Sequence, residues 1–94
     1  MVVKTASGFE WNVNERIKKD YRMVKAVALV ESGEDGKVIK GYHDLAVLML
    51  GEKGEVALEN HVMDDEGIVE MAKMNAELTE IIEMMKNQDA EIKK

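Results

Sequence analysis

The side chains whose types and spacing invite chemistry are few. His61 precedes Asp64, Asp65 and Glu66, which could be read as a metal cluster. A hard cation needs several oxygens converging from fixed elements, and a calcium loop sets its acids at alternate positions before a glycine. This run has neither feature, so it reads as a polar loop that caps the following helix. His43 adjoins Asp44, but the chain's two serines, Ser7 and Ser32, sit in turn-like contexts without the glycine setting of a nucleophile elbow. Gly33-Glu34-Asp35-Gly36 has glycines, yet its acids would repel phosphate and no Gly-Lys-Ser/Thr follows. The absence of cysteine removes disulfides, thiolate nucleophiles and zinc–sulfur sites. The expectation is therefore a protein that is not an enzyme, with no catalytic residue, no cofactor and no metal.

The elements that would carry these residues can be read from periodicity. Phe9, Trp11 and Val13 alternate with Glu10 and Asn12, the period of a half-buried strand. Val2, Val3 and Thr5 form a second extended run. Ala6-Ser7-Gly8 between the two predicts a hairpin turn, with Gly8 free to take positive φ. A first helix follows, capped by Asn12 or Asn14, or by Asp20 if the segment is broken. Ile17, Tyr21, Val24 and Ala28 recur there at helical spacing. Ser32 to Gly36 reads as the polar turn that ends it. The second helix holds Leu45, Leu48 and Met49, and Gly51 stands where a C-cap glycine belongs. A third starts at Glu52; Gly54 inside it predicts either a tight helix–helix approach or a late helix start. After Asp64–Gly67, the fourth helix carries Met71, Met74, Leu78, Ile81 and Met85 in a heptad-like seam, widened by Ile68, Ala72 and Ile82.

The fold class is thus mainly α, about four helices preceded by a short N-terminal β-hairpin. The expected organisation is a single domain over 1–86 with a polar, fraying tail over 87–94. Trp11, Tyr21, Val24, Val27, Leu45, Leu48 and Leu58 are the expected core. The seam is long for so small a body, so its far end, Ile81 to Met85, is expected to project beyond the core or meet a second subunit. Met71, Met74, Leu78, Ile81, Ile82 and Met85 are the candidate protein-binding residues.

Composition narrows the partners. The chain is 94 residues with net charge −6, 46% hydrophobic and 34% charged, a balance that folds rather than stays disordered. The densest basic group, Arg16, Lys18, Lys19, Arg22 and Lys25, reads as a solvated helix face, and nucleic acid is not an expected partner. No run of about 18 apolar residues exists to span a membrane. Nor does the N-terminus look like a secretory signal, and a cytoplasmic location is expected. Eight methionines allow an adaptable apolar surface as well as a filled core.

The order of the pieces adds a resemblance. Thr5-Ala6-Ser7-Gly8-Phe9-Glu10 is followed by Asn14-Glu15 and by Asp20-Tyr21 opening a helix. Then come Leu48-Met49-Leu50-Gly51-Glu52-Lys53, Leu58-Glu59-Asn60-His61-Val62, Asp64-Asp65-Glu66-Gly67 and an amphipathic helix. Over residues 5–86 this resembles the small tail assembly chaperones of long-tailed phages and prophages of Gram-positive bacteria. The Ser-Gly-Phe-Glu opening and the Leu-Gly-Glu-Lys junction are its most specific parts. The long linker Gly33–Gly41 and the methionine-rich last helix depart from the pattern. The resemblance implies a non-catalytic protein of the host-cell cytoplasm that binds the tape measure protein during tail assembly. It also implies the tail tube protein as a second candidate partner and a homo-oligomer as a candidate state. The competing reading is a generic helical interaction module that dimerises through its C-terminal helix.

Overall fold

In the computed structural model, which describes the backbone of residues 1–92 and the side chains of residues 1–86, the chain opens with a two-stranded antiparallel sheet. Strand β1 (Val2–Lys4) pairs with β2 (Glu10–Asn12), Val3 opposite Trp11. The turn closes as expected: Gly8 N–H donates to Thr5 C=O at 3.0 Å and Thr5 N–H to Phe9 C=O at 2.9 Å, with Gly8 at φ +99°. That is a three-residue loop with glycine in the left-handed position. Alternation then sorts the side chains. Val3, Thr5, Phe9 and Val13 are buried while Val2, Lys4, Glu10 and Asn12 face out.

The expected first helix is broken. A 3₁₀ turn spans Glu15–Lys19 and α1 spans Tyr21–Val30. Asn14 caps the turn and Asp20 caps α1, its carboxylate accepting Arg22 N–H at 2.8 Å. Helix α2 covers Asp35–Val62 and α3 covers Met71–Ile92. Among the described residues there are three α-helical runs rather than about four, because the expected second and third helices meet with no linker. The break still falls at Gly51, whose φ of 76° and ψ of 171° leave the helical region. The corner is sharp. His43 and Glu55 would stand about 18 Å apart along a straight helix, yet His43 Nδ1 lies 2.8 Å from Glu55 Oε2. Two boundaries also shift. Helix α2 starts inside the expected 33–41 linker, at Asp35, and α3 starts at Met71, so Ile68 precedes the helix and is exposed. The backbone of α3 runs through Ile92, over most of the expected tail; Lys93 and Lys94 lie outside the described residues.

One hydrophobic core joins the sheet to all three helices. It takes Val3, Phe9 and Val13 from the hairpin region, Met23 and Ala26 from α1, Leu45, Ala46, Met49, Leu50 and Leu58 from α2, and Leu78, Ile81 and Met85 from α3. Two glycines set its closest approaches. A Cβ on Gly41 would meet Ala26 O at 2.8 Å and Leu29 Cβ at 2.9 Å, so α1 lies directly on α2 there. A Cβ on Gly54 would meet Leu50 Cβ at 2.5 Å and Trp11 Nε1 at 2.8 Å. The indole covers Gly54 and donates Nε1–H to Leu50 C=O, 3.1 Å away, beside the Gly51 corner. Gly54 does mark a tight approach, but the hairpin's Trp11 makes it, where a second helix was expected.

Leu45 and Leu58 are buried as expected, and Trp11, Val27 and Leu48 are partly buried. Tyr21 and Val24 correct the expectation, at 74% and 61% exposed. Helix α1 is apolar around most of its circumference but rests on its neighbours by one face. That face is Met23 and Ala26, which turns Tyr21 and Val24 to solvent.

A candidate protein-interaction surface

The seam of α3 divides along its length, in the reverse of the expected sense. Its far end is core: Ile81 is 0% and Met85 3% exposed, and Leu78 is buried with them. Ile82 is half-buried and packs against that core, as does Met74. The near end is open, with Met71 55% exposed and Ile68 beside it in sequence also exposed. Length misled the projection argument. Helix α2 and the hairpin pack along α3, so the helix end that looked surplus is covered.

What the C-terminal part of α3 shares with α1 is a groove. Its wall on the α1 side is Met23, Val24 and Val27, its wall on the α3 side is Ile82 and Met85, and Lys18, Lys19 and Lys86 stand at its rim. The cavity measures about 390 Å³. Met23 and Met85 are buried at its floor while Val24 is exposed at its lip. A second groove, between α1 and α2, is lined by Arg22, Lys25, Leu29, Lys40, His43, Asp44, Val47 and Leu48. Its charges are largely matched from within. Arg22 grips Asp20 through two bonds of 3.0 and 2.7 Å, Lys40 reaches Asp44 at 3.0 Å, and His43 meets Glu55. The Arg22 side-chain and backbone hydrogen bonds hold the Asp20 carboxyl down to about 2, and Asp20 in turn raises the Arg22 guanidinium above its usual value.

The fold also gathers side chains that the sequence kept apart. Ser7 Oγ lies 2.9 Å from His61 Nε2 and donates to Glu77 Oε1 at 2.9 Å. Thr5 Oγ1 donates to the same oxygen at 2.8 Å, and Ala6 N–H donates to Glu80 at 2.7 Å. Serine, histidine and acid invite comparison with a nucleophilic triad, but proton counting reverses the roles. Ser7 gives its single proton to Glu77, so His61 Nε2 carries the proton that it shares with Ser7. An imidazole donating to the hydroxyl is not poised to remove its proton, and the acid orients the serine rather than the histidine. What this arrangement does is tie the hairpin tip to α2 and α3. Phe9 adds a tilted ring contact to His61, at 5.6 Å between centroids. The bonds span 54 and 70 residues of chain, so no local motif announces them.

The acidic run after His61 is no converging ligand set either. Asp64 Oδ1 accepts Glu66 N–H at 2.9 Å and Ile68 N–H at 3.0 Å, closing its own turn with Gly67 at φ +80°. Among the described residues no group of three or more potential ligands could hold a metal ion, and no helix is long and apolar enough to cross a membrane. Comparison with models of known protein families, with characterised proteins and with solved structures finds no match for this chain.

Proposed function

We propose that the chain is a phage or prophage tail assembly chaperone, acting in the host-cell cytoplasm without catalysis, and that it binds the tape measure protein until tail tube subunits replace it. The observation that carries this reading is the open apolar groove between α1 and α3 on an otherwise charged helical body. A tape measure protein is a long helical chain with apolar stripes, as the resemblance implies. Such a stripe needs cover before assembly, and the cover must come off again. A groove one or two turns long gives a contact well below the size of a permanent interface, which suits release. Dimerisation through the C-terminal helix has less to draw on, since Leu78, Ile81 and Met85 pack inside the monomer.

Two measurements test the proposal. A gene for a long, helical tape measure protein should lie immediately downstream. Co-expression of the two should give a soluble complex that Val24→Glu weakens. A tape measure protein that stays soluble alone and fails to co-purify would overturn it.

A further inference from the structure

We infer that Gly51 is a hinge, and that by straightening there the chain exchanges everything after it with a second copy. Of the 28 residues of α2, Gly51 is the one whose φ and ψ leave the helical range. Its φ of 76° and ψ of 171° fall in a region that is essentially reserved for glycine. A Cβ built on it would meet nothing within 4 Å. Packing therefore does not demand glycine at the corner; the backbone angle does. Helix runs up to it on one side and away from it on the other, with no linker between. Helical angles at this single residue would make α2 one rod, about 42 Å long at the usual rise.

Residues 1–50 form one part, with the hairpin, α1 and the first half of α2; residues 52 onward form the other, with the rest of α2 and α3. The chain has no cysteine, so the backbone at Gly51 is their only covalent link. Side chains hold the parts together. His43 meets Glu55, Tyr42 Oη lies 3.2 Å from Thr79 Oγ1, and the hairpin tip is tied to His61, Glu77 and Glu80. Leu58, Leu78, Ile81 and Met85 complete the core begun by Val3, Met23 and Leu45. A second copy offers all the same surfaces. If both copies straighten, each closes on the other's second part, and the pair re-makes these contacts twice over. The exchanged dimer then differs from two monomers chiefly at the hinge. Spacing favours the arrangement, because His43 and Glu55 lie six residues either side of Met49. Two straight α2 helices crossing antiparallel at Met49 bring each His43 to the opposite Glu55. Glycine keeps the balance on the monomer side: it turns the corner without strain, and it is a poor helix former.

The test reads mass and exchange separately. Gel filtration with light scattering gives the mass. Exchange is read in a His43→Cys/Glu55→Cys chain with a short bismaleimide, which joins the two thiols within one chain at the corner and between chains in the exchanged dimer. With Gly51 in place, refolding from urea at micromolar concentration should give monomers linked within the chain. Refolding at millimolar concentration, then diluting before linking, should give a fraction linked between chains. Gly51→Ala should move the balance toward the dimer by on the order of 100-fold, with links between chains and helix content undiminished by circular dichroism. Gly36→Ala, at a helical position of α2 with open space around it, should leave the monomer as it is. A Gly51→Ala chain that folds as a monomer linked within itself would overturn the inference. So would a Gly51→Ala dimer linked only within its chains, since that is association without exchange. If Gly51→Ala does not fold, the concentration series decides: links between chains that grow with concentration support the hinge, and their absence refutes it.

Discussion

Replacing Gly54 by alanine should destabilise the protein, although the same change stabilises most helices. In an unobstructed helix the exchange gains up to about 1 kcal/mol from backbone entropy. At Gly54 the new methyl would lie 2.5 Å from Leu50 Cβ and within 3 Å of two Trp11 ring atoms. Leu50 cannot yield easily, because its Cβ is fixed by the backbone that turns the Gly51 corner. Trp11 can lift, but doing so gives up its bond to Leu50 C=O. Overpacking of this kind costs about 1–3 kcal/mol and the hydrogen bond about 1 kcal/mol more. The net expectation is a loss of about 1–3 kcal/mol, a fall in Tm on the order of 10 °C for a chain of this size. Urea denaturation followed by fluorescence reads the site directly, because Trp11 is the only tryptophan. Gly36→Ala is the control: it lies in the first turn of α2 with open space around its would-be Cβ, and should gain stability. If Gly54→Ala gains as Gly36→Ala does, the hairpin does not rest on α2 as described.

Ile81→Ala should cost about 2–5 kcal/mol in chemical denaturation, since the side chain is fully enclosed. Met85→Glu should unfold the protein by placing a charge in the core, whereas Val24→Glu should leave stability within about 0.5 kcal/mol. The depressed Asp20 carboxyl contributes stability that is present above its ordinary value of 3.8 and is lost as pH falls through about 2. Asp20→Asn keeps a capping oxygen and should remove that part of the acid-side slope of Tm, and an NMR titration of Asp20 should show its midpoint near 2. Chelation should leave Tm unchanged, and a large fall would mean that a metal holds the loop after His61.

What could be read from the sequence was whatever is set locally. The hairpin followed from alternation and Gly8, the helix break from Gly51 at a C-cap position, and Asp20 was among the cap candidates in case the first helix was broken. The misjudged residues are those whose fate depends on which neighbour arrives. In α1 the periodicity of Tyr21 and Val24 competes with that of Met23 and Ala26, and only the packing on Gly41 decides between them. In α3 the seam was legible, but its coverage depends on α2 and on the hairpin at the other end of the sequence. The groove inherits both uncertainties, because its walls are the faces that those two decisions leave outward. The cluster of Ser7, His61 and Glu77 could not be read at all. Its members lie on three elements, and each alone looks like an ordinary turn or surface residue.

The tie between the hairpin tip and α3 also bears on how the molecule comes into being. Synthesis runs from the amino end, so the hairpin leaves the ribosome before α3 does. The hairpin turn cannot be fastened then, because Glu77 and Glu80 are still unmade. The α3 part of the core, Leu78, Ile81 and Met85, is also still to come when β1 and α2 have been made. A two-stranded hairpin alone is marginal in water. The hairpin is therefore made before the helix that fastens its tip, and the α3 side of its apolar face stays uncovered until α3 arrives. Folding is in this sense completed late, and a nascent chain stopped short of α3 would leave Val3 and the hairpin turn without their α3 partners.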